Sequence, residues 1–376
     1  CRQAEFGGQN ARPLEQRRDT RGMDLSGAGG HMAIVGGARS GKSTLARSVL
    51  TGLALTHTPA EVQFYVMDFG GGTFTPFAGL AHVSGVAGRN EPDVLRRMYS
   101  EVLGIVNARE KYFTANGIDS IETYRRLRAQ GRADDGYGDV FLFIDGWPTL
   151  RAEFDEMEYD VQALAGRGLT FGLHIIATTS RWMDFRTAIR DTFGSKLELR
   201  LGEPSDSEIN RNVAKNVPNA RPGRGLAPTA HHMLGALPRV DGNGDPGTLG
   251  EGVADLVAQV NRAWRGPEGP KLRLLPELVE LDELRSRAEG TRLSGQLLLG
   301  VDEAALAPVA LDQRRNPHVY LFGDSGSGKS SFLRGIAREV QRIATPKQAQ
   351  PFVVPHHARR HARALGGRAD GEVGCA

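Results

Sequence analysis

One stretch limits this chain's folding options more than any other. Met32-Ala33-Ile34-Val35 is a short apolar run and reads as a buried strand. Gly36-Gly37-Ala38-Arg39-Ser40-Gly41-Lys42-Ser43-Thr44 follows, fitting G-x-x-x-x-G-K-[ST], and Leu45 to Leu55 then reads as a helix. Strand, glycine loop and helix in that order form the frame of a phosphate cradle. Glycines let successive backbone N–H groups turn inward, and the helix start adds the positive end of a dipole. Lys42 supplies a point charge for the β/γ-phosphates, and the Ser43 hydroxyl suits Mg²⁺. The chemistry expected of such a loop is binding of ATP with Mg²⁺.

The stretch recurs. His318 to Phe322 is a second apolar run, expected to be a strand. It leads into Gly323-Asp324-Ser325-Gly326-Ser327-Gly328-Lys329-Ser330-Ser331, and Phe332 to Val340 reads as the next helix. Leu14-Glu15-Gln16-Arg17-Arg18 precedes the first copy and Leu311-Asp312-Gln313-Arg314-Arg315 the second. Matched motifs with matched approaches, their lysines 287 residues apart, indicate a duplicated domain.

Between the two copies the chain alternates strands and helices, which predicts an α/β fold with a mostly parallel sheet flanked by helices. Glu61 to Asp68 reads as a strand ending in Asp68. Either a phosphate-site role or a turn cap suits that residue, and Gly70-Gly71-Gly72 alone says little. Pro92 to Phe113 and Asp119 to Gln130 read as helices, and Arg125, Arg126 and Arg128 are expected on a solvated face. Val140 to Ile144 is a buried strand delivering Asp145 at its carboxyl end, the expected Mg²⁺ carboxylate and, with Lys42, the catalytic pair. The next residue is Gly146, which cannot move a proton where a water-activating Glu often stands. Leu173 to Ser180 is a further strand, ending in three hydroxyls that suit either sensing of a γ-phosphate or plain strand-to-loop hydrogen bonding. His31, His174 and His318 lack acidic or thiol neighbours in sequence and read as structural. Lys196 to Leu201 alternates polar and apolar residues, which predicts an exposed or edge strand, and Leu249 to Trp264 reads as an amphipathic helix.

Composition adds bounds. At 376 residues about two or three domains are expected. Hydrophobic content of 40% supports a sizeable core, and a net charge of +3 neither demands nor excludes nucleic acid. No apolar run approaches the ~18 residues of a membrane span. The two cysteines, Cys1 and Cys375, suggest no metal or disulfide framework, which fits a reducing compartment. An opening Cys in place of Met predicts a piece of something longer.

The order of motifs is similar to that of the FtsK/SpoIIIE family of ring-forming P-loop ATPases, most of all the tandem ATPases of type VII (ESX) secretion. The match is carried by Glu15-Gln16-Arg17-Arg18-Asp19, GGARSGKSTL, VQFYVMDFGGG at 62–72, FLFIDGW at 141–147, GLHIIATTSR at 172–181 and RPGRGL at 221–226. Residues 1–12 have no period and little apolar content and read as a tail, and the resemblance implies an FtsK-like ATPase domain over 13–264 and a linker over 265–306. It also implies the truncated start of a second such domain over 307–350. Residues 351–376 lack any apolar period and read as a tail, a truncation or frame slip being one explanation. Also implied are ATP and Mg²⁺, slow hydrolysis, a hexameric ring in the full-length protein, and a place at the cytoplasmic face of the membrane. Partners would be other secretion subunits and exported proteins, with DNA an alternative. In that family an apolar pocket takes a linker or a signal peptide, and Leu272 to Leu284 is the candidate docking linker. Arg167, Arg181 and Arg190 remain open as arginine fingers.

Overall fold

The computed structural model describes residues 4–12, 17–276, 278–303, 306–315 and 317–352, with side chains from residue 22 onward. It divides into two compact units, Cys1–Leu274 and Leu275–Ala376.

The first unit is built on one ten-stranded sheet. Its strands are β1 (Ala4–Arg12), β2 (Arg17–Met23), β3 (Met32–Val35), β4 (Val62–Asp68), β5 (Val83–Gly88), β6 (Asp139–Asp145), β7 (Leu173–Thr179), β8 (Ser195–Leu199), β9 (Arg224–Leu226) and β10 (His232–Leu234). The spatial order is β2-β1-β10-β9-β8-β3-β7-β6-β4-β5. From β8 to β5 every pairing is parallel; from β8 outward to β2 every pairing is antiparallel. The parallel strands are apolar runs buried along their length, as expected where helices cover both faces. The helices are α1 (Lys42–Thr56), α2 (Pro92–Asn116), α3 (Ile121–Ala129), α4 (Trp147–Glu153), α5 (Asp155–Gly168), α6 (Thr187–Arg190), α7 (Arg211–Ala214) and α8 (Leu249–Ala263). α1 and α8 close one core with Ile34, Phe64, Phe141 and Phe143. α2, α4 and α5 close the other with Val35, Met67, Leu142 and Ile175. The first unit is thus a sheet between two helical layers, its centre carrying the first glycine loop.

Several expectations need correction. Residues 1–12 read as a tail by composition, yet Ala4–Arg12 is a strand paired with both β2 and β10. Main-chain hydrogen bonds hold such a strand, and they leave no apolar period in the sequence. Leu14, Glu15 and Gln16 of the matched approach lie outside the described residues, as does 353–376 of the predicted tail.

β8 is not an edge strand: it lies between β3 and β9. Its alternation misleads because Glu198 is buried and fully paired. Oε1 accepts from Trp182 Nε1 at 2.6 Å, Glu208 N at 2.7 Å and Ile209 N at 3.2 Å, and Oε2 from the Ser207 hydroxyl at 2.6 Å. The basic face of α3 is only partly solvated. Arg125 reaches back to the buried Asp139 at 2.9 Å and to Ser26 O at 3.3 Å, anchoring the helix. His31 is structural as expected: Ile175 N–H donates to Nδ1 at 2.9 Å, so the proton sits on Nε2, which donates to Ala165 O at 2.9 Å. Burial holds the His31 pKa down to about 4, keeping the ring neutral.

The outer edge of β5 is covered by the chain after α8. Gly269 N donates to Ala81 O at 2.9 Å and Leu272 N to Ser84 O at 2.8 Å, while the Leu272 side chain packs on the α2 core. An exposed parallel edge would template pairing with other chains, and this strap blunts it.

The second unit contains α9 (Leu281–Ala288), the antiparallel pair β11 (Leu297–Val301) and β12 (Pro308–Leu311), and α10 (Lys329–Ile343). Buried Glu339 on α10 accepts from Arg285 of α9 at 2.9 Å and from Arg342 at 2.7 Å. Arg342 also donates to Ser294 O and Gln296 O, so one carboxylate and its two arginines fasten the unit. The strand expected over His318 to Phe322 does not form: no ladder is assigned there among the described residues, and Tyr320 and Phe322 are 83% and 86% exposed.

Glu198→Ala leaves four donors facing an apolar gap. At ~1–3 kcal/mol for each buried donor left without a partner, less partial relaxation, the loss should be about 3 kcal/mol or more. Urea denaturation should show it, with Glu198→Gln losing clearly less.

Candidate functional site

The carboxyl ends of the parallel strands form a row. Asp68 lies in register with Asp145, Asp145 with Thr178, and Thr179 with Val35, the last residue before the glycine loop. In this order β7 stands between the loop's strand and the strand of Asp145. Ligand chemistry collects at this edge in open parallel sheets.

The loop from Gly36 to Ser43 wraps back on itself. Gly36 N donates to Thr179 O at 3.1 Å and Gly37 N to Arg200 O at 2.7 Å, so both neighbouring strand ends brace it. Gly41 has φ +101, and a Cβ there would lie 2.9 Å from Gly223 N, so glycine is required on two counts. Gly223 N in turn donates to Ser40 O at 2.8 Å, which gives the RPGRGL segment its place as the loop's outer brace. Arg39, a non-glycine residue, sits in the left-handed region at φ +56 and points to solvent, as does Ala38. Lys42 Nζ donates to Gly37 O at 2.9 Å across the loop. Burial holds the Lys42 pKa below its ordinary value, with Asp145 and Asp184 pulling the other way.

The sequence predicts Lys42, Ser43 and Asp145 as a unit, and the fold brings them together across 102 positions of chain. The Ser43 hydroxyl donates to Asp145 Oδ1 at 3.0 Å and the Thr178 hydroxyl to the same oxygen at 2.6 Å. Asp145 is 2% exposed, and burial raises its pKa, with Thr178 and Ser43 opposing. Asp68 is a loop cap: its carboxylate accepts from Gly70 N at 3.0 Å and Phe74 N at 2.8 Å. Of the three hydroxyls after Ala177, Thr178 fixes Asp145 and Thr179 donates to Asp184 at 2.7 Å, while Ser180 is exposed.

The residues fit a nucleotide polyphosphate with Mg²⁺. The first-turn N–H groups of α1 have no acceptor within the helix and face the loop. The Ser40 hydroxyl is buried without a partner beneath them. A lysine and a carboxylate, both with charged forms disfavoured by burial, flank the same small space. The second copy, Gly323 to Ser331, has the same wrap: Gly326 and Gly328 are left-handed, and Lys329 Nζ donates to Gly323 O and Asp324 O at 2.6 Å. Among the described residues no carboxylate meets Ser330 as Asp145 meets Ser43.

A model of the FtsK/SpoIIIE family matches residues 2–241. The chain belongs to the FtsK/SpoIIIE family. It is 49% identical over 347 residues to the ESX secretion system protein EccC of Thermomonospora curvata, covering 92% of this chain and 26% of that protein. It is 42% identical to the ESX-4 secretion system protein EccC4 of Mycobacterium tuberculosis, covering 91% and 26%. A solved structure of Thermomonospora curvata EccC, ATPases 2 and 3 in complex with a signal sequence peptide, superposes with a TM-score of 0.84 at 47% identity, covering 91% of this chain and 61% of that one. The chain spans about a quarter of the length of these two EccC relatives.

For an FtsK/SpoIIIE chain, the position after Asp145 is informative. Gly146 has φ +100, and an added Cβ would lie 3.2 Å from Phe69 Cβ. Its N–H donates to Thr178 Oγ1 at 2.9 Å, closing the chain Gly146–Thr178–Asp145. The backbone here is shaped around glycine, and any side chain at this position would be strained. Three residues of the site were not legible in the sequence: Gly70, Thr73 and Arg47. A Cβ on Gly70 would sit 2.3 Å from Asp145 Oδ2. The glycine run 70–72 was the only available signal, and it does not by itself name a partner.

Gly146→Glu should destabilise the protein by about 1–2 kcal/mol from the left-handed backbone alone, with the Phe69 contact adding to it; chemical denaturation measures this. A second expectation concerns charge. A lowered Lys42 pKa means that the folded state binds its proton less readily than the unfolded chain, so stability rises as pH climbs through the folded value. A raised Asp145 pKa means that stability falls as pH rises above the ordinary carboxylate value. Near neutrality both groups therefore oppose folding when no ligand compensates them, and nucleotide-free Lys42→Met should melt at or above the wild-type temperature.

Proposed function

We propose that this chain is the ATP-binding part of a motor subunit in a type VII (ESX) protein secretion machine, coupling nucleotide occupancy to export of substrate proteins. The observation that carries the reading is the Ser43–Asp145 contact at 3.0 Å beside Lys42, within a chain 49% identical to an ESX EccC protein. Bound Mg²⁺ supplies charge neutralisation for the β- and γ-phosphates. Ser43 and Asp145 would hold the metal, and Lys42, which donates to Gly37 O here, would supply its charge to the phosphates. The backbone N–H groups of Ala38, Arg39 and Gly41 to Thr44 would line the cradle, and Thr178 keeps Asp145 oriented.

Hydrolysis by this site is slow, because Gly146 leaves no proton acceptor next to Asp145. The same feature favours a second reading, in which ATP acts mainly as a scaffold that stabilises domain packing. Assembly into a hexameric ring, contact with secreted substrates and location at the cytoplasmic face of the membrane belong to the proposal by family likeness. Among the described residues, no helix is long and apolar enough to cross a membrane. The relative's structure holds a signal sequence peptide; for this chain a peptide partner is part of the same proposal, as is Lys329 with Ser330 serving a second nucleotide.

Millimolar ATP with Mg²⁺ should raise the melting temperature by several degrees, as expected for a ligand well above its Kd. Lys42→Met should abolish that shift, and turnover should be low with or without a substrate peptide. No shift in the wild-type protein would sink the nucleotide reading. Turnover stimulated by DNA would favour a translocase instead. In a secreting strain, export that persists with Lys42→Met would select the scaffold.

A further inference from the structure

The loop from Asp68 to Phe74 lies outside the glycine loop of the phosphate cradle, yet it packs against the Asp145 carboxylate. Ser43 and Thr178 both donate to Oδ1. On the Oδ2 side the Gly70 backbone approaches so closely that a Cβ would lie 2.3 Å away, and the Thr73 hydroxyl stands at 3.4 Å. That distance is long for an O–H···O bond, so the hydroxyl is close enough to take part and loosely enough held to change partner.

The loop is fastened from two directions. Asp68 caps it internally through Gly70 N and Phe74 N. Arg47, 9% exposed on the second turn of α1, fastens it to the helix that bears Ser43. Its guanidinium donates to Thr73 O at 3.3 Å, Thr44 Oγ1 at 3.2 Å and Ser43 O at 3.4 Å. One buried cation thus bridges the main chain of Ser43 and the main chain of Thr73, on the two sides of Asp145. Burial holds the Arg47 pKa below its ordinary value, and the nearby charges of Asp145 and Asp68 offset that only in part.

We propose that this loop is the second wall of the metal site: Thr73 orders a water ligand of Mg²⁺ on the Oδ2 side of Asp145, and Arg47 is the positioning residue that keeps Thr73 there. A metal held through water by a carboxylate leaves that water needing a further partner, and Thr73 is the hydroxyl on that side. The proposal rests on the nucleotide reading above and assigns Thr73 and Arg47 within it.

The test is a Mg²⁺ titration of fluorescent ATP-analogue binding to the full chain, run beside the same binding in EDTA. Thr73→Val keeps the side chain's shape and removes the hydroxyl. It should raise the Mg²⁺ concentration for half-maximal tightening about 10-fold, the scale on which partners of metal ligands act. Affinity in EDTA and melting temperature should stay at wild-type values. Arg47→Met should shift the Mg²⁺ midpoint in the same direction; if that variant fails to fold, Thr73→Val alone decides. An unchanged midpoint in Thr73→Val, or an equal loss with and without Mg²⁺, overturns the assignment while leaving the nucleotide reading standing. Wild-type protein whose binding ignores Mg²⁺ also overturns the assignment, whereas wild-type protein that does not bind the analogue at all overturns the nucleotide reading, so the wild-type curve tells the two failures apart.

Discussion

The top of the sheet is organised by one carboxylate. Asp145 receives the Ser43 hydroxyl from α1 and the Thr178 hydroxyl from β7 on a single oxygen, and its other side is closed by the loop after β4. Three stretches far apart in sequence are thereby fixed relative to one another by a group only 2% exposed. The sheet makes this possible: β6 and β7 are in register, so Asp145 and Thr178 meet side by side, and β3 delivers the glycine loop one strand further on. Because the glycine loop leans on Thr179 O and Arg200 O, a shift of β7 or β8 would move the cradle as a body.

Such a site is a compromise between folding and binding. A buried carboxylate and a buried ammonium each weaken the folded state when uncompensated, and the directions of their pKa shifts say so. A polyphosphate with its metal reverses both terms at once, because the lysine gains an anion and the carboxylate gains a cation. Occupancy by such a ligand would therefore stabilise this unit by more than contact area alone. The left-handed Gly146, packed against Phe69, adds to that balance: backbone shape at this corner serves the Asp145–Thr178 link, and no side chain there carries a base.

The readable part of the fold was the part with local signals. Apolar runs marked β3, β4, β6 and β7, and the glycine loop announced itself by spacing. Asp145 stood out because five apolar residues end in an acid. What stayed hidden depends on partners distant in sequence. Glu198 looks like a solvent-facing residue until Trp182, Ser207 and the 208–209 backbone are brought around it. Arg125 looks solvated until Asp139 arrives from the next strand. β1 and β2 leave no period because main-chain pairing holds them. Thr73 and Arg47 are ordinary residues in sequence; only the fold places one against Asp145 and lets the other hold it there.

The two copies of the glycine motif separate what is local from what is not. Around Lys329 the left-handed backbone at Gly326 and Gly328, the lysine folded onto the loop carbonyls and the helix behind it are all present, matching Arg39, Gly41, Lys42 and α1 in the first copy. The cradle's shape is thus set by its own nine residues and the helix that follows. The preceding strand is different. Met32–Val35 is fully buried between β7 and β8, whereas His318 to Phe322 is equally apolar and forms no ladder among the described residues. A strand is a relation between segments, and apolar sequence only makes a segment eligible for it. The carboxylate partner behaves the same way: Ser43 meets Asp145 because a second strand, 102 positions on, is carried to its side by the sheet. A glycine loop can therefore form wherever its motif occurs, but it becomes a metal–nucleotide site only inside a sheet that supplies its neighbours.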